Sequence, residues 1–170
     1  MRDDGTREAP VHIVPYDPSW PDQFEQERRL LGSIIGEWLN GGIEHVGSTA
    51  VSGLDAKPVI DIMAGVTSLE ASRDAISVLE RNGYSYAPYR PDVMHWFCKP
   101  SFAFRTHHLH LVPYQSPLWK ERLVFRDYLR SHSDVAREYA KLKYELAEKY
   151  RFDREAYTEA KGEFIRRVLS

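Results

Sequence analysis

The chain has 170 residues, of which 42% are hydrophobic and 28% are charged, and its formal net charge is −2. These proportions are ordinary for a soluble globular protein, and the small negative charge excludes a strong overall attraction to nucleic acid or to a membrane surface. The single cysteine, Cys98, excludes an intramolecular disulfide, and the longest apolar runs are too short for a membrane span, so we expect a cytoplasmic protein.

The domain organisation follows from composition. Residues 1–10 are polar and lack the apolar core of a signal peptide, so we expect them to form a flexible tail. The length of the remainder predicts a single domain over residues 11–170. Within it, residues 11–115 mix strand and helix patterns, whereas residues 116–170 show helix patterns throughout.

The first predicted elements are a short strand and a long helix. VHIVPY, residues 11–16, is a strand candidate, and DPSWP then starts a helix. Apolar residues recur every three or four positions as far as Trp38, which is the pattern of one helix face. We expect Asn40-Gly41-Gly42 to end this helix, because glycine tolerates the left-handed conformation of a C-terminal cap.

The next elements alternate between strands and a helix. We predict, in order, a strand GIEHVGS that leads into a turn, an irregular connection TAVSGLDAK, a central strand PVIDIMAGV, a helix SLEASRDAISVLERNGY, and two strands MHWFCKP and THHLHLVPY. Residues 98–105 form a hairpin or loop between the last two strands. The predicted fold class is therefore α+β, a mixed sheet with flanking helices.

Three predicted helices complete the chain and contain a repeated pattern. They cover SPLWKERLVFRDYLRSHS, with Ser116 as its cap, SHSDVAREYAKLKYELAEKY and DREAYTEAKGEFIRRVLS. Tyr139 and Lys143 are four residues apart, as are Tyr157 and Lys161, so each pair shares a helix face. Either these lysines extend along an amphipathic surface into solvent, or they direct two cations at one anionic ligand. We expect the three helices to pack over the open face of the sheet.

A turn and a lone acid are the first candidate site. Gly47 and Ser48 between a strand and a short helix can seat an anion, because glycine allows close backbone approach and serine adds a donor. Asp61 then interrupts the apolar segment PVIDIMAGV. A buried carboxylate without a partner costs several kcal/mol, so Asp61 is expected at a cleft, a metal or a cation. A structural partner such as Lys57 is the alternative.

Two histidines are the second candidate. In THHLHLV, strand alternation places His108 and His110 on one face and His107 on the other. Two imidazoles at this spacing can share a metal or an anion, although single histidines are usually structural.

These segments together resemble the GrpB (UPF0157) family. The resemblance rests on YDPSW, EHVGSTAV with GLDAKPVIDI, THHLHLV, FRDYLRSHSDVAREYAKLK and YTEAK, and it runs from about residue 11 to the end of the chain. It implies a fold of the polymerase-beta-like nucleotidyltransferase superfamily. In that superfamily a Gly-Ser turn precedes a strand with Asp-x-Asp or Asp-x-Glu, and a third acid lies on a neighbouring strand. These acids hold two Mg²⁺ ions that bind a nucleoside triphosphate and activate an acceptor hydroxyl.

The resemblance assigns residues by position. Gly47 and Ser48 match the turn and Asp61 matches the first acid, but Met63 stands where the second acid belongs. His110 or His108 takes the place of the third acid, while Glu44 is a candidate replacement on another strand. One aspartate with two histidines is a poor cage for two Mg²⁺ ions and a better site for Mn²⁺, Fe²⁺ or Zn²⁺.

Three functions remain open from the sequence. The first is transfer of a nucleotidyl or related phosphoryl group to a small molecule, with Asp61, His108 and His110 as catalytic and metal-binding residues. The second is a nucleotide-binding or metabolite-binding module without transfer, which Met63 favours, and the third is an enzyme that uses one transition metal. In all three we expect a small-molecule or nucleotide ligand, and neither a membrane nor a nucleic acid partner. The candidate phosphate-binding residues are Gly47, Ser48, Thr49, Lys57, Arg126, Lys143 and Lys161.

Overall fold

A mixed sheet organises the protein. The computed structural model describes residues 9–170 and contains a five-stranded sheet in the order β1-β2-β5-β4-β3. The strands are β1 (Leu39–Val46), β2 (Ile60–Val66), β3 (Ser85–Ala87), β4 (His95–Pro100) and β5 (Arg105–Pro113). β2 and β5 are parallel, and the other neighbours are antiparallel. PVIDIMAGV therefore contains an interior strand, as predicted.

Helices cover both faces of the sheet, which confirms the predicted α+β class. They are α1 (Trp20–Ile35), α2 (Ala75–Arg81), α3 (Pro117–Ser131), α4 (Ser133–Lys149) and α5 (Arg154–Leu169), with short 3₁₀ turns at Gly36–Trp38 and Ser48–Ala50. The predicted cap of α3 is present, since the side chain of Ser116 accepts a hydrogen bond from the backbone N–H of Trp119. Within residues 9–170, no helix combines the length and apolarity that crossing a membrane requires.

The two faces of the sheet differ in chemistry. One face is apolar and packs against α1 and α2, with Leu31, Ile35, Leu79 and Ile62 in a single buried cluster. On the other face, Met63 and Val112 pack with Trp119 of α3. This second face also carries Asp61, since Asp61 and Met63 alternate with Ile62 along β2.

Two predictions of secondary structure were wrong, and one short strand was not predicted. Residues 11–16 form an isolated bridge, Val14 to Ala56, instead of a strand. The helix predicted to reach Asn40-Gly41-Gly42 ends at Ile35.

The glycine pair is instead an irregularity within β1. A β-carbon on Gly41 would lie 2.0 Å from the ring of Tyr114, so this aromatic ring occupies the space beside the bulged strand. The strand that was not predicted is β3, which has only three residues. The predicted tail at residues 1–10 falls outside the described residues except for Ala9 and Pro10.

Candidate functional site

The turn after β1 closes directly on Asp61. Val46 is the register partner of Asp61, and Gly47 follows it with a φ of +72°. A β-carbon at position 47 would lie 2.6 Å from Oδ2 of Asp61. Glycine is therefore needed at this position both for its backbone conformation and for the space that the carboxylate occupies.

The residues below the turn are structural. Thr49 is buried, and its hydroxyl donates to the carbonyl of Val59 at 3.1 Å while its oxygen lies 2.9 Å from Nε2 of His45. His45 also stacks on Phe24 at a centroid distance of 4.8 Å. The predicted phosphate-binding role of Thr49 does not agree with this arrangement, because its side chain is buried and its hydroxyl is already bonded to the Val59 carbonyl.

Asp61 and the two histidines come together as the strand register requires. In the parallel pairing of β2 with β5, Asp61 lies opposite His108 and Met63 lies opposite His110. Oδ1 of Asp61 is 3.2 Å from Nδ1 of His108 and 3.6 Å from Nε2 of His110. The Asp61 side chain remains 29% exposed, so the cluster is accessible from solvent at its carboxylate.

The protonation states of the cluster suit metal binding. Burial opposes ionisation of Asp61, but the adjacent imidazoles of His108, within hydrogen-bond distance, and of His110, at 3.6 Å, hold its pKa well below the usual range. Burial lowers the pKa of His110 to about 4, with a contribution from the nearby charge of Arg122, and burial also lowers the pKa of His108. At neutral pH the cluster is thus one carboxylate with two neutral imidazoles.

Two imidazole nitrogens in the cluster lack partners. Among the described residues, Nε2 of His108 and Nε2 of His110 are buried and make no hydrogen bond. Ligand atoms from Asp61, His108 and His110 lie within 4.8 Å of one another. Buried ring nitrogens normally find a partner, so this donor set fits a single divalent transition metal.

The position at which the resemblance expects a second acid lies in apolar surroundings. Met63 is fully buried in the cluster that includes Val46, Met94 and Trp119. Glu44, which lies opposite Met63 on β1, is bound at 2.7 Å by Arg126.

Arg126, which was a candidate phosphate-binding residue, makes structural contacts instead. Its guanidinium donates to Glu44, to the carbonyl of His45 and to Asp127, so it braces β1 against α3.

The two tyrosine-lysine pairs meet beside the turn. Ser48 is close enough to the Tyr139 hydroxyl to lower its pKa against the effect of burial, so α4 lies beside the Gly47-Ser48 turn. One helical turn later, Lys143 is 1% exposed and donates to the carbonyl of Asp55 at 2.5 Å. The Lys57 and Lys161 ammonium groups lie 4.9 and 4.6 Å from the centroid of the Tyr157 ring. These lysines face inward, which disagrees with the solvent-directed alternative.

The lysines form a group of partly deprotonated cations. Burial lowers the pKa of Lys143 to about 6 and that of Lys57 to about 7, and repulsion from Lys161 adds to both shifts. Burial also lowers the pKa of Lys161 to about 8, although Asp61 acts in the opposite direction. Two of these lysines, Lys57 and Lys161, also interact with the charge of Asp61, so an anion that enters beside them would be stabilised.

Three arginines near the cluster were not identified from the sequence. Arg122 of α3 interacts electrostatically with Asp61 and His110, while Arg105 and Arg154 both act on Lys57. A signal for Arg122 was present, since it precedes Arg126 by one helical turn and shares its face. No comparable signal marks Arg105 or Arg154, because their proximity depends on how β5 and α5 pack.

Known proteins resemble the chain over almost its whole length. The sequence pattern of the family described as "GrpB protein" matches residues 10–170. UPF0157 protein PA4798 of Pseudomonas aeruginosa is 42% identical over 164 residues, which are 94% of this chain and 66% of that protein. Glutamate-rich protein GrpB of Alkalihalophilus pseudofirmus is 37% identical over 171 residues and 98% of both chains. The crystal structure of conserved protein GrpB from Enterococcus faecalis superposes with a TM-score of 0.83 at 32% identity, covering 92% of this chain and 94% of that one.

Proposed function

The chain belongs to the GrpB family, and on that premise we propose that its cleft binds a phosphorylated small molecule with one divalent metal ion and transfers a nucleotidyl or related phosphoryl group. One observation carries the proposal. Asp61, His108 and His110 present a carboxylate and two buried, unpartnered imidazole nitrogens next to inward-facing lysines. A metal-binding floor beside a cationic wall is suited to a phosphate ester whose oxygens contact both.

The donor set favours one transition metal over two Mg²⁺ ions. Imidazole nitrogen binds Mn²⁺, Fe²⁺ and Zn²⁺ well, whereas Mg²⁺ prefers an octahedral shell of oxygens. The side chain of Met63 offers only a weak thioether sulfur and is buried in an apolar cluster. When bound, a divalent ion would supply Lewis-acid polarisation of a phosphoryl oxygen.

The chain's own residues would bind and neutralise the phosphate. Lys57, in the connection before β2, and Lys161 of α5 would contact the phosphate, while Lys143 of α4, buried and bonded to the Asp55 carbonyl, would add its charge from within the core. Their pKa values of about 6 to 8 lie near neutral pH, so the arrival of phosphate oxygens would shift these lysines toward the protonated form. α3 to α5 would exclude bulk water from the bound phosphate, which strengthens each of these charge contacts.

A binding module without transfer is the second candidate. The observation that favours it is Met63, because its position carries an acid in the two-metal plan that the resemblance implies. A site with one metal ligand set and a cationic wall can hold a nucleotide without positioning an acceptor hydroxyl. The same residues would then determine the affinity for the nucleotide, but they would not catalyse a reaction.

Titration of metal and nucleotide together tests the proposal. Metal-depleted protein would be titrated with Mn²⁺, Zn²⁺ and Mg²⁺ and then with nucleoside triphosphates, with and without metal, while pyrophosphate and phosphate release are measured. We expect tighter binding of Mn²⁺ or Zn²⁺ than of Mg²⁺, and triphosphate binding that Lys161→Gln weakens. Lys141→Gln, on the exposed surface of α4, is the control.

The outcomes separate the candidates. Product release that requires both metal and triphosphate supports transfer. Triphosphate binding that ignores metal and yields no product supports the binding module. A parent protein that binds no phosphorylated ligand contradicts both.

A further inference from the structure

An aromatic group lies along the rim of the cleft, outside the residues already assigned a role. Trp96 of β4 is the register partner of His110, so it points to the same face of the sheet as Asp61. Its ring is buried and its centroid lies 5.4 Å from that of His108. The metal-binding floor therefore borders a large aromatic surface directly.

Trp96 is held rigidly. Phe102 stacks on it at 6.5 Å with an interplanar angle of 17°, and the guanidinium of Arg105 lies 5.1 Å from its centroid. Because the Trp96 ring is already immobilised in the folded protein, a ligand that contacts it loses little further side-chain entropy.

Tyr89 extends this surface into solvent. It lies in the connection between β3 and β4, edge-on to Trp96 at 6.2 Å and 70°, and it is 46% exposed. A large aromatic side chain that is held by a tryptophan and still half exposed has ring area available for a ligand.

The same connection lies near Arg122 of α3. The charges of Asp61 and of Arg90 both shift the pKa of Arg122, so this guanidinium is close to the cluster and to the connection. Arg90 has a φ of +48°, a backbone conformation that non-glycine residues seldom adopt. Two arginines that repel each other beside an exposed aromatic ring form a place where an anion with a planar group would be stabilised.

We propose that Tyr89, supported by Trp96, is a stacking subsite for the base of a nucleotide whose phosphates lie against Lys57 and Lys161. This inference rests on the proposed function and narrows its ligand from any phosphorylated small molecule to a nucleoside phosphate. Every nucleobase has a planar face that can stack on an aromatic ring, and such stacking is tolerant of base identity. Arg122, whose pKa is shifted by the charges of both Asp61 and Arg90, would contact the phosphate nearest the sugar.

The test compares ligands that share phosphates and differ in the base. ATP, GTP, CTP and UTP would each be titrated calorimetrically against parent protein at constant Mn²⁺, alongside inorganic tripolyphosphate. The variants are Tyr89→Ala, Tyr89→Phe and Tyr114→Ala. Tyr114 is a matched control, since it is 39% exposed and lies edge-on to Trp119 at 5.4 Å, at the far end of β5 from His108.

The expected result has a specific pattern. Tyr89→Ala weakens the best nucleotide by about fivefold to a hundredfold, which corresponds to the loss of one stacked base, and Tyr89→Phe stays within about twofold of the parent. Tripolyphosphate affinity stays unchanged in both variants. Tyr114→Ala leaves all affinities unchanged.

Two kinds of result overturn the subsite alone. One is a parent that binds tripolyphosphate as tightly as all four nucleotides. The other is a Tyr89→Ala variant that weakens tripolyphosphate and nucleotide equally, or weakens nucleotide no more than Tyr114→Ala does. If the parent binds neither nucleotides nor tripolyphosphate, the proposed function fails and the subsite fails with it.

Discussion

Gly47 and Asp61 occupy adjoining space, so that a β-carbon on the glycine would lie 2.6 Å from the Asp61 carboxylate oxygen. The turn and the acid are thus one structural unit. The backbone conformation of the turn sets where the carboxylate can lie, and the carboxylate limits what residue the turn can contain. Because Oδ1 of the same carboxylate is 3.2 Å from His108, any displacement at Gly47 reaches the imidazoles as well.

The first prediction is that Gly47→Ala disrupts the metal cluster more than its backbone strain alone explains. The new methyl group forces Asp61 or the turn to move, so we expect a loss of Mn²⁺ or Zn²⁺ affinity together with lower stability. Gly53→Ala is the control, since Gly53 also has a positive φ, of +80°, and its β-carbon would meet nothing within 4 Å. The control should cost about 1–2 kcal/mol of unfolding free energy and leave metal affinity unchanged.

Calorimetric metal titration and chemical denaturation of both variants measure the two effects. Equal losses of stability in the two variants, with metal affinity retained in both, would show that the contact with Asp61 has no consequence.

Strand alternation accounts for much of the site that was predicted from sequence. It placed Asp61 with Met63, and His108 with His110, because side chains on a strand alternate with a fixed period of two. It did not show that β2 and β5 are parallel neighbours, since that pairing depends on the course of the intervening chain.

Local sequence patterns were least informative where one pattern is compatible with two different local structures. Gly41 and Gly42 both have positive φ, which suits a helix cap and a strand bulge equally, and the ring of Tyr114 decides for the bulge. Likewise Arg122 and Arg126 share a helix face. Which of them reaches Asp61 depends on how Trp119 seats α3 on the sheet, a tertiary contact that spacing does not encode.

The second prediction concerns the charge of Asp61. Asp61→Asn preserves shape and removes the anionic ligand, so Mn²⁺ or Zn²⁺ affinity should fall by on the order of 10² or more. Tripolyphosphate affinity without metal should stay equal or increase, because the carboxylate opposes an incoming anion. Asp55→Asn is the control: Asp55 is another partly buried acid, and it accepts hydrogen bonds from the Tyr16 backbone and the Tyr144 hydroxyl.

Calorimetry with each metal and with tripolyphosphate measures both changes in affinity. Metal affinity that survives in Asp61→Asn would exclude Asp61 as a ligand. Loss of metal affinity in Asp55→Asn would mean that the assay reports general destabilisation.

The third prediction is a dependence of stability on pH that originates at Lys143. Its folded-state pKa of about 6 lies below its unfolded value, so between the two values the unfolded chain binds more protons than the folded chain. The unfolding free energy therefore rises with pH above about pH 6, by up to about 1.4 kcal/mol per pH unit for one full proton. Below pH 6 the buried ammonium is charged in both states, and its penalty is fully present.

Lys143→Met should remove part of this slope. Denaturant unfolding of parent and variant between pH 6 and pH 9 measures it, with Lys141→Met as the exposed control on the same helix. A parent slope that Lys143→Met leaves unchanged would assign the pH dependence to other groups.

The fourth prediction separates two arginines that are one helical turn apart on α3. Arg126 is 11% exposed in its side chain and binds Glu44 at 2.7 Å and the His45 carbonyl at 3.1 Å. Arg126→Gln should therefore lower the unfolding free energy by about 1.5–3 kcal/mol, the usual contribution of a charged hydrogen bond, with little effect on ligand affinity.

Arg122→Gln should show the opposite pattern. Burial lowers the pKa of Arg122, so its charge is costly in the free protein and is compensated chiefly by Asp61. Removing it should leave the melting temperature unchanged or raised, while nucleotide affinity falls by roughly tenfold to a hundredfold through loss of a charge-assisted contact. Thermal unfolding and nucleotide titration of both variants give a crossed pair of results. If Arg126→Gln lost the ligand and Arg122→Gln lost the stability, the orientation of α3 over the cleft would have to be reversed.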